Sequence, residues 1–277
     1  MTEMEKLNLP GTTDLGAEDL DYAARMCKVE AEKLERSGNK EKSVGGFERA
    51  YRFACAAAAL GSTGSMCIMA ELIQGEKVSA AKQMDDPVAE AVRLWEKAAE
   101  MGLARGYLNI GLLHLHKPVP GGGKNYGNVP YDPEKAIAYM QKAADGGDAK
   151  APRNLGVCYR EGVIVPKDEA KAFGYFEEAM KRGDSSGKLF CAEDLLRGDG
   201  VEQDISRAIR LYEELYEEAG HDITTSAYAL GCIYRDGKYV PADREKAAEY
   251  FASVVKTADI RAQEMKREAE KFLNAEE

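Results

Sequence analysis

What this sequence has little of narrows its chemistry first. It holds three histidines, His114, His116 and His221, and a single tryptophan, Trp95. His114 and His116 stand two apart, which on a helix turns them about 200° from one another, so one helix cannot offer both to a metal. The six cysteines, Cys27, Cys55, Cys67, Cys158, Cys191 and Cys232, include no CxxC pair. That removes the spacing of a zinc knuckle or a thioredoxin-like site. Most lie in apolar helical stretches such as "LGVCY" and "LGCIY", where a thiol behaves as a small hydrophobe. Cys55 and Cys67 are close enough in sequence to meet between neighbouring helices, and a disulfide there stays open. No metal and no cofactor is expected.

Positive charge is also short: 38 Lys and Arg stand against 48 Asp and Glu, a net charge of −10. A nucleic-acid binder needs a basic stripe to replace counterions along the phosphates, so no nucleic acid is expected. No apolar run approaches the roughly 20 residues that span a bilayer, and an acidic chain gains nothing from an anionic lipid surface; no membrane is expected. The start, "MTEMEKLNLPGTTDLG", has neither the basic opening and apolar core of a secretory signal nor the arginines of a presequence. The expectation is a cytoplasmic protein whose partners are proteins or peptides.

A nucleotide site is the next absence. The segment "PVPGGGKNYGNVPYDP" (118–133) carries three glycines and a lysine. A phosphate loop needs GxxxxGK followed by Ser or Thr, after a strand. Here Asn125 follows Lys124, and no βαβ pattern occurs. The segment reads as an inserted surface loop, with Tyr126 and Tyr131 offering contact area.

What the chain does have is a repeat. "AVRLWEKAAEMG" (91–102), "AIAYMQKAADGG" (136–147) and "AFGYFEEAMKRG" (172–183) each begin on Ala and carry a large residue four later. Each has small or flexible residues at seven and eight and ends on Gly. These offsets mark one helix face and a glycine stop. Looser copies start at Ala208 and Ala247, and an earlier relative at Ala50. Before each lies a second pattern, "NIGLLH", "NLGVCY", "FCAEDL" or "ALGCIY", in which a small residue precedes a larger one by three. The connections "REGVIVPKDEAKA", "LRGDGVEQDISRA" and "RDGKYVPADREKA" put a glycine turn first and an N-capping Asp last. The terminal positions fall at 61, 102, 147, 183, 220 and 258. The length alone admits one or two domains; the repeat makes the chain one all-α solenoid of helical hairpins.

The copy at 149–183, "AKAPRNLGVCYREGVIVPKDEAKAFGYFEEAMKRG", resembles a Sel1-like repeat, a relative of the tetratricopeptide repeat. The resemblance covers about residues 62–258, in five copies. It implies antiparallel helix pairs stacked into a right-handed superhelix with a concave groove. Residues 1–16 read as a flexible segment, 17–61 as an atypical first hairpin, and 259–277 as a capping helix and tail. In that last helix Met265, Ala269, Phe272 and Leu273 form one stripe.

In two adjacent copies an asparagine stands two before the packed glycine: Asn109 before Gly111 and Asn154 before Gly156. Arg105 and Lys150 stand six before the same glycines. Each basic residue is therefore one helical turn from its asparagine, on the side away from the hairpin partner. A carboxylate could accept charge-assisted bonds from both. This resembles the carboxylate clamp of some tetratricopeptide domains, although the last copy has Thr225 and Ala229 instead. Tyr107, Arg153 and Arg160 are neighbouring candidates.

The expected function is a monomeric, non-catalytic scaffold that binds a protein or peptide in its groove, through a carboxylate. Two alternatives stand beside it. Some secreted Sel1-like proteins with regularly paired cysteines are associated with penicillin binding and hydrolysis, as a β-lactamase or penicillin-binding enzyme would be. This sequence resembles them in its repeat but not in its cysteines. The other alternative is a self-assembling structural protein joined through the solenoid ends.

Overall fold

The computed structural model describes residues 15–116, 129–218, 223–257 and 262–275. The expected flexible start, Lys124 and Tyr126 of the glycine loop, His221, and the terminal positions 220 and 258 lie outside them. Among the described residues the regular structure is helical. It comprises α1 (Ala17–Arg36), α2 (Lys40–Ala59), α3 (Thr63–Gln74), α4 (Pro87–Glu100), α5 (Arg105–His114) and α6 (Pro133–Asp145). There follow α7 (Lys150–Glu161), α8 (Glu169–Lys181), α9 (Ser185–Arg197), α10 (Ile205–Glu217), α11 (Ile223–Asp236), α12 (Arg244–Lys256) and α13 (Gln263–Leu273). A single 3-10 turn, Ala81–Gln83, precedes α4.

Helix starts follow the sequence closely. Asp132, Asp168, Asp204 and Asp243 accept from the backbone N–H groups of Lys135, Lys171, Arg207 and Lys246. Asp86 caps α4, and Pro87 and Pro133 occupy first-turn positions where no N–H is needed. Each such cap contributes about 1 kcal/mol. Gly102, Gly147 and Gly183 adopt φ of 99°, 90° and 84° just beyond α4, α6 and α8. Only glycine takes that left-handed conformation without a Cβ penalty.

The small-against-large rule has a steric basis. Met140, Phe176 and Phe251 are fully buried, and Trp95 and Tyr212 are 3% exposed. A Cβ on Gly156 would stand 2.5 Å from the Phe176 ring, and one on Gly231 2.6 Å from the Phe251 ring. In these two hairpins the first helix thus lets the ring of the second lie against bare backbone.

The helices gather into two compact units, residues 1–151 and 152–277. The sequence reads as one uninterrupted array. Because each repeat contacts mainly its neighbours, an array of this kind can divide without any change in its repeat pattern. In the first unit, α1 to α6 pack in succession around Phe47, Leu72, Ile73 and Trp95. In the second, α8 to α13 do so around Phe176, Leu195, Leu215, Leu230 and Phe251, with Tyr159 of α7 stacked on Tyr175 of α8. Ala269 of α13 is fully buried and Phe272 lies 5.0 Å from Phe251, with Met265 and Leu273 also against that core.

Candidate functional site

A cavity of about 780 Å³ opens in the first unit among α1, α3 and α5. Its polar wall starts at Asp21, 9% exposed, which accepts from the Ser62 and Ser65 hydroxyls at 2.9 and 2.7 Å and from Arg25 Nε at 2.6 Å. Burial opposes ionisation of Asp21, but the bonds from Ser65, Ser62 and Arg25 outweigh it and hold the carboxyl below its ordinary range. Two turns along α1, Lys28 pairs with Glu71 of α3 and reaches Glu32 at 3.6 Å. Burial again opposes the charge, and Glu71 more than offsets it, raising the ammonium above the usual lysine range.

Arg105 closes this wall. Its Nε donates to Asp148 Oδ2 at 2.5 Å. Asp148 is itself buried, and its other oxygen accepts from the N–H groups of Lys150 and Ala151, so it caps α7 as it holds the arginine. A guanidinium carries five N–H donors, and one bond to Asp148 does not exhaust them. Asn109 makes a long contact, 3.5 Å, from its amide to Glu71. The structure therefore brings Arg105 and Asn109 onto one polar face, each with a carboxylate of the chain itself.

The other candidates are distributed differently. Tyr107 turns toward α6, where its ring stacks 6.2 Å from Tyr139 and the Lys142 ammonium lies 5.8 Å away. Lys150 is the first residue of α7. Arg153 and Asn154 belong to the second unit. There Arg153 Nε stands 3.2 Å from Asp184 but is too poorly directed to count as a hydrogen bond. Arg160 lies 3.6 Å from Glu193 with its guanidinium 4.3 Å from the Phe190 ring. His114 packs as its repeat position implies: 8% exposed, stacked on Tyr139, with Nδ1 3.0 Å from the Pro130 carbonyl oxygen.

Asp148 and Asp184 carry a signal in the sequence, since each follows a terminal glycine directly. Lys28 and Asp21 carry none, because the first hairpin departs from the repeat. Replacing Asp148 by Ala removes both the cap and the Arg105 pair, and is expected to cost about 1–3 kcal/mol. Asp148→Asn, which keeps the capping oxygen, should recover about half of that loss in a urea titration.

The six cysteines form no disulfide, Cys55 and Cys67 included. Burial pushes the Cys67 and Cys191 thiols up to about 12 and the Cys158 thiol to about 11. Such thiols stay protonated and are poor nucleophiles. No group of His, Cys, Asp and Glu among the described residues is arranged to hold a metal, and no helix there is long and apolar enough to cross a membrane.

Hairpins in which a second-helix ring packs on a first-helix glycine, joined by Asp-capped turns, define a helical repeat protein. The chain belongs to the Sel1 repeat family, whose model matches residues 85–103, 122–148, 149–184, 192–219 and 224–253. Helices α1 to α3 fall outside these matches. The fold is similar to the crystal structure of a Sel1 repeat protein from Oxalobacter formigenes, at 21% identity and a TM-score of 0.62, over 90% of this chain and 99% of that one. It is also similar to a protective antigen of uropathogenic Escherichia coli displaying an SLR fold, at 18% identity and a TM-score of 0.59. That match covers 99% of this chain and 59% of the antigen. An immunity protein from Pseudomonas aeruginosa matches at 15% identity and a TM-score of 0.54, over 94% of this chain and 90% of that one. At these identities the likeness is one of fold. No curated protein matches the sequence.

Proposed function

We propose that the chain is a non-catalytic scaffold that binds a protein or peptide, acting as a monomer in the cytoplasm. The observation that carries this reading is the wall formed by Lys28, Glu71, Arg105 and Asp148 around a ready-made cavity, with Asn109 reaching Glu71 from behind it. Helix-borne side chains fixed by their own ion pairs are preorganised, so a ligand need not order them on binding. Arg105 and Asn109 are the residues assigned to a ligand carboxylate in the first unit. Lys150 and Asn154, one turn apart on α7, are a second basic–amide pair of the same kind. The high thiol pKa values support a binding role over nucleophilic chemistry.

The test is an affinity pull-down from lysate of the native host, with wild type beside two folded variants, Arg105→Glu/Asn109→Ala and Lys150→Glu/Asn154→Ala. A partner retained by wild type and lost, at least about tenfold, with the first variant is the expected result, since a reversed charge both removes a bond and repels the carboxylate. A partner held equally by all three proteins would remove these residues from the site.

A further inference from the structure

Two residues beyond the packed small residue, the first helices of three hairpins bury an apolar side chain: Leu113, Cys158 and Ile233, at 4%, 8% and 3% exposure. The same position in α9, two beyond Ala192, is Asp194, and it is just as buried at 3%. Packing does not ask for a carboxylate here, because the other copies fill the place with apolar groups. Burying an ionisable group without a partner is costly, so its presence calls for a use outside the helix stack.

Asp194 lines a cavity of about 410 Å³ among α7, α8 and α9 of the second unit. Two of the three cations of that cavity are paired with its other carboxylates. Arg160 lies 3.6 Å from Glu193 and 3.8 Å from Glu161, and its guanidinium is stacked over Phe190. Lys167 pairs with Glu169 at 2.6 Å. Arg197 is exposed at the cavity's edge and makes no ion pair with Asp194. Among the described residues no hydrogen bond or ion pair reaches the Asp194 carboxylate, and Asp199 beside it has no ion pair either. The lining holds five carboxylates and three cations, leaving the deficit on the side of positive charge.

We propose that this cavity receives the guanidinium of an arginine side chain from a bound protein or peptide, with Asp194 as its buried carboxylate partner. A guanidinium is planar, weakly hydrated and matched to a carboxylate through two parallel N–H bonds, which suits a recessed acid better than a compact, strongly hydrated ammonium. The net charge of −10 also draws basic segments toward the protein. The site rests on the reading of the chain as a protein-binding scaffold, but it lies in the other unit from Arg105 and can fail separately.

Ionisation supplies a second readout. Burial, then Asp199 and Glu193, push the Asp194 carboxyl up to about 7 against the pull of Arg160 and Arg197. The charged and titratable groups around it are Arg160 and Glu161 of α7, Lys167, Glu169 of α8, Glu193 and Arg197 of α9, Asp199, and Tyr212 of α10. A cation favours the ionised acid, so its binding should tighten about tenfold from about pH 6 to about pH 8.

The experiment is an NMR titration of the full chain with the blocked tripeptide Gly-Arg-Gly, and with its Gly-Lys-Gly and Gly-citrulline-Gly analogues. Saturable binding of the arginine peptide is expected, with lysine and citrulline at least about fivefold weaker. Asp194→Asn should weaken arginine binding at least about tenfold and flatten its pH dependence. Asp194→Leu, which restores the residue type of the other repeats, should stay folded and lose binding as well. Absence of saturable arginine binding, equal affinity for lysine or citrulline, or an unchanged affinity in Asp194→Asn would each overturn the proposal. A protein partner captured equally by wild type and Asp194→Asn sinks this site and leaves the scaffold reading intact; arginine-peptide binding with no captured partner does the reverse.

Discussion

Phe176→Ala is expected to destabilise the second unit by about 3–5 kcal/mol. The ring is fully buried, lies 4.8 Å from Phe190 and has the Arg160 guanidinium at 5.1 Å. Its Cδ1 and Cε1 atoms meet Gly156, whose missing Cβ leaves the room the ring fills. Truncation therefore opens a void between α7 and α8. Gly156→Ala alone should cost about 1–3 kcal/mol, because the added carbon would stand 2.5 Å from the ring and 3.1 Å from the Ala172 carbonyl oxygen. In the Phe176→Ala background the same substitution should cost less, since only the 3.1 Å approach to the Ala172 carbonyl oxygen remains. A double-mutant cycle by urea unfolding reads this coupling; simple additivity would mean that the two residues do not share their space.

Asp194→Leu is expected to stabilise the protein, and by an amount that depends on pH. The carboxyl is pushed from an ordinary 3.8 up to about 7, mainly by burial. Between about pH 4 and pH 7 the folded chain therefore keeps a proton that the unfolded chain has released. Stability consequently falls as pH rises through this window and levels off above it. Leucine has no such dependence and matches Leu113 and Ile233 in the sister positions. Its advantage should grow across the window to about 2–4 kcal/mol at pH 8. Denaturation midpoints near pH 5 and pH 8 test this. A leucine variant less stable than wild type at both values would make Asp194 part of the packing.

The parts of this fold legible in the sequence are those encoded within one repeat. Asp168 caps α8 and Gly183 ends it because both rules act over a few residues; Gly156 and Phe176 meet because their helices are adjacent. The pairs that join one repeat to the next left almost no trace. Lys28 and Glu71 stand 43 residues apart, and Arg105 and Asp148 as many, with no periodicity linking acid to base. For that reason Arg105 and Asn109 are readable as residues of the outward side of α5, and Asp148 as a cap after its glycine, while the pairing of Arg105 with Asp148 and of Asn109 with Glu71 is not. Tyr107 shows the same limit: its place on α5 was plain, but its stacking on Tyr139 depends on where α6 lies. Asp194 was legible in principle. The rule of small then larger residues tests Ala192 and Leu195 in "FCAEDL" and passes over the acid between them.

Asp148 and Asp184 each start a helix and hold an arginine contributed by an earlier stretch of chain. A gene duplication copying the segment from Asp148 up to Gly183 would carry both a capping acid and Arg153, the base for the next acid, and every new junction would be complete. A duplication cut in another frame would strand an arginine or leave a helix start bare. The natural unit of growth in this chain therefore runs from aspartate to aspartate, opening on the cap of one first helix and closing on the glycine before the next cap.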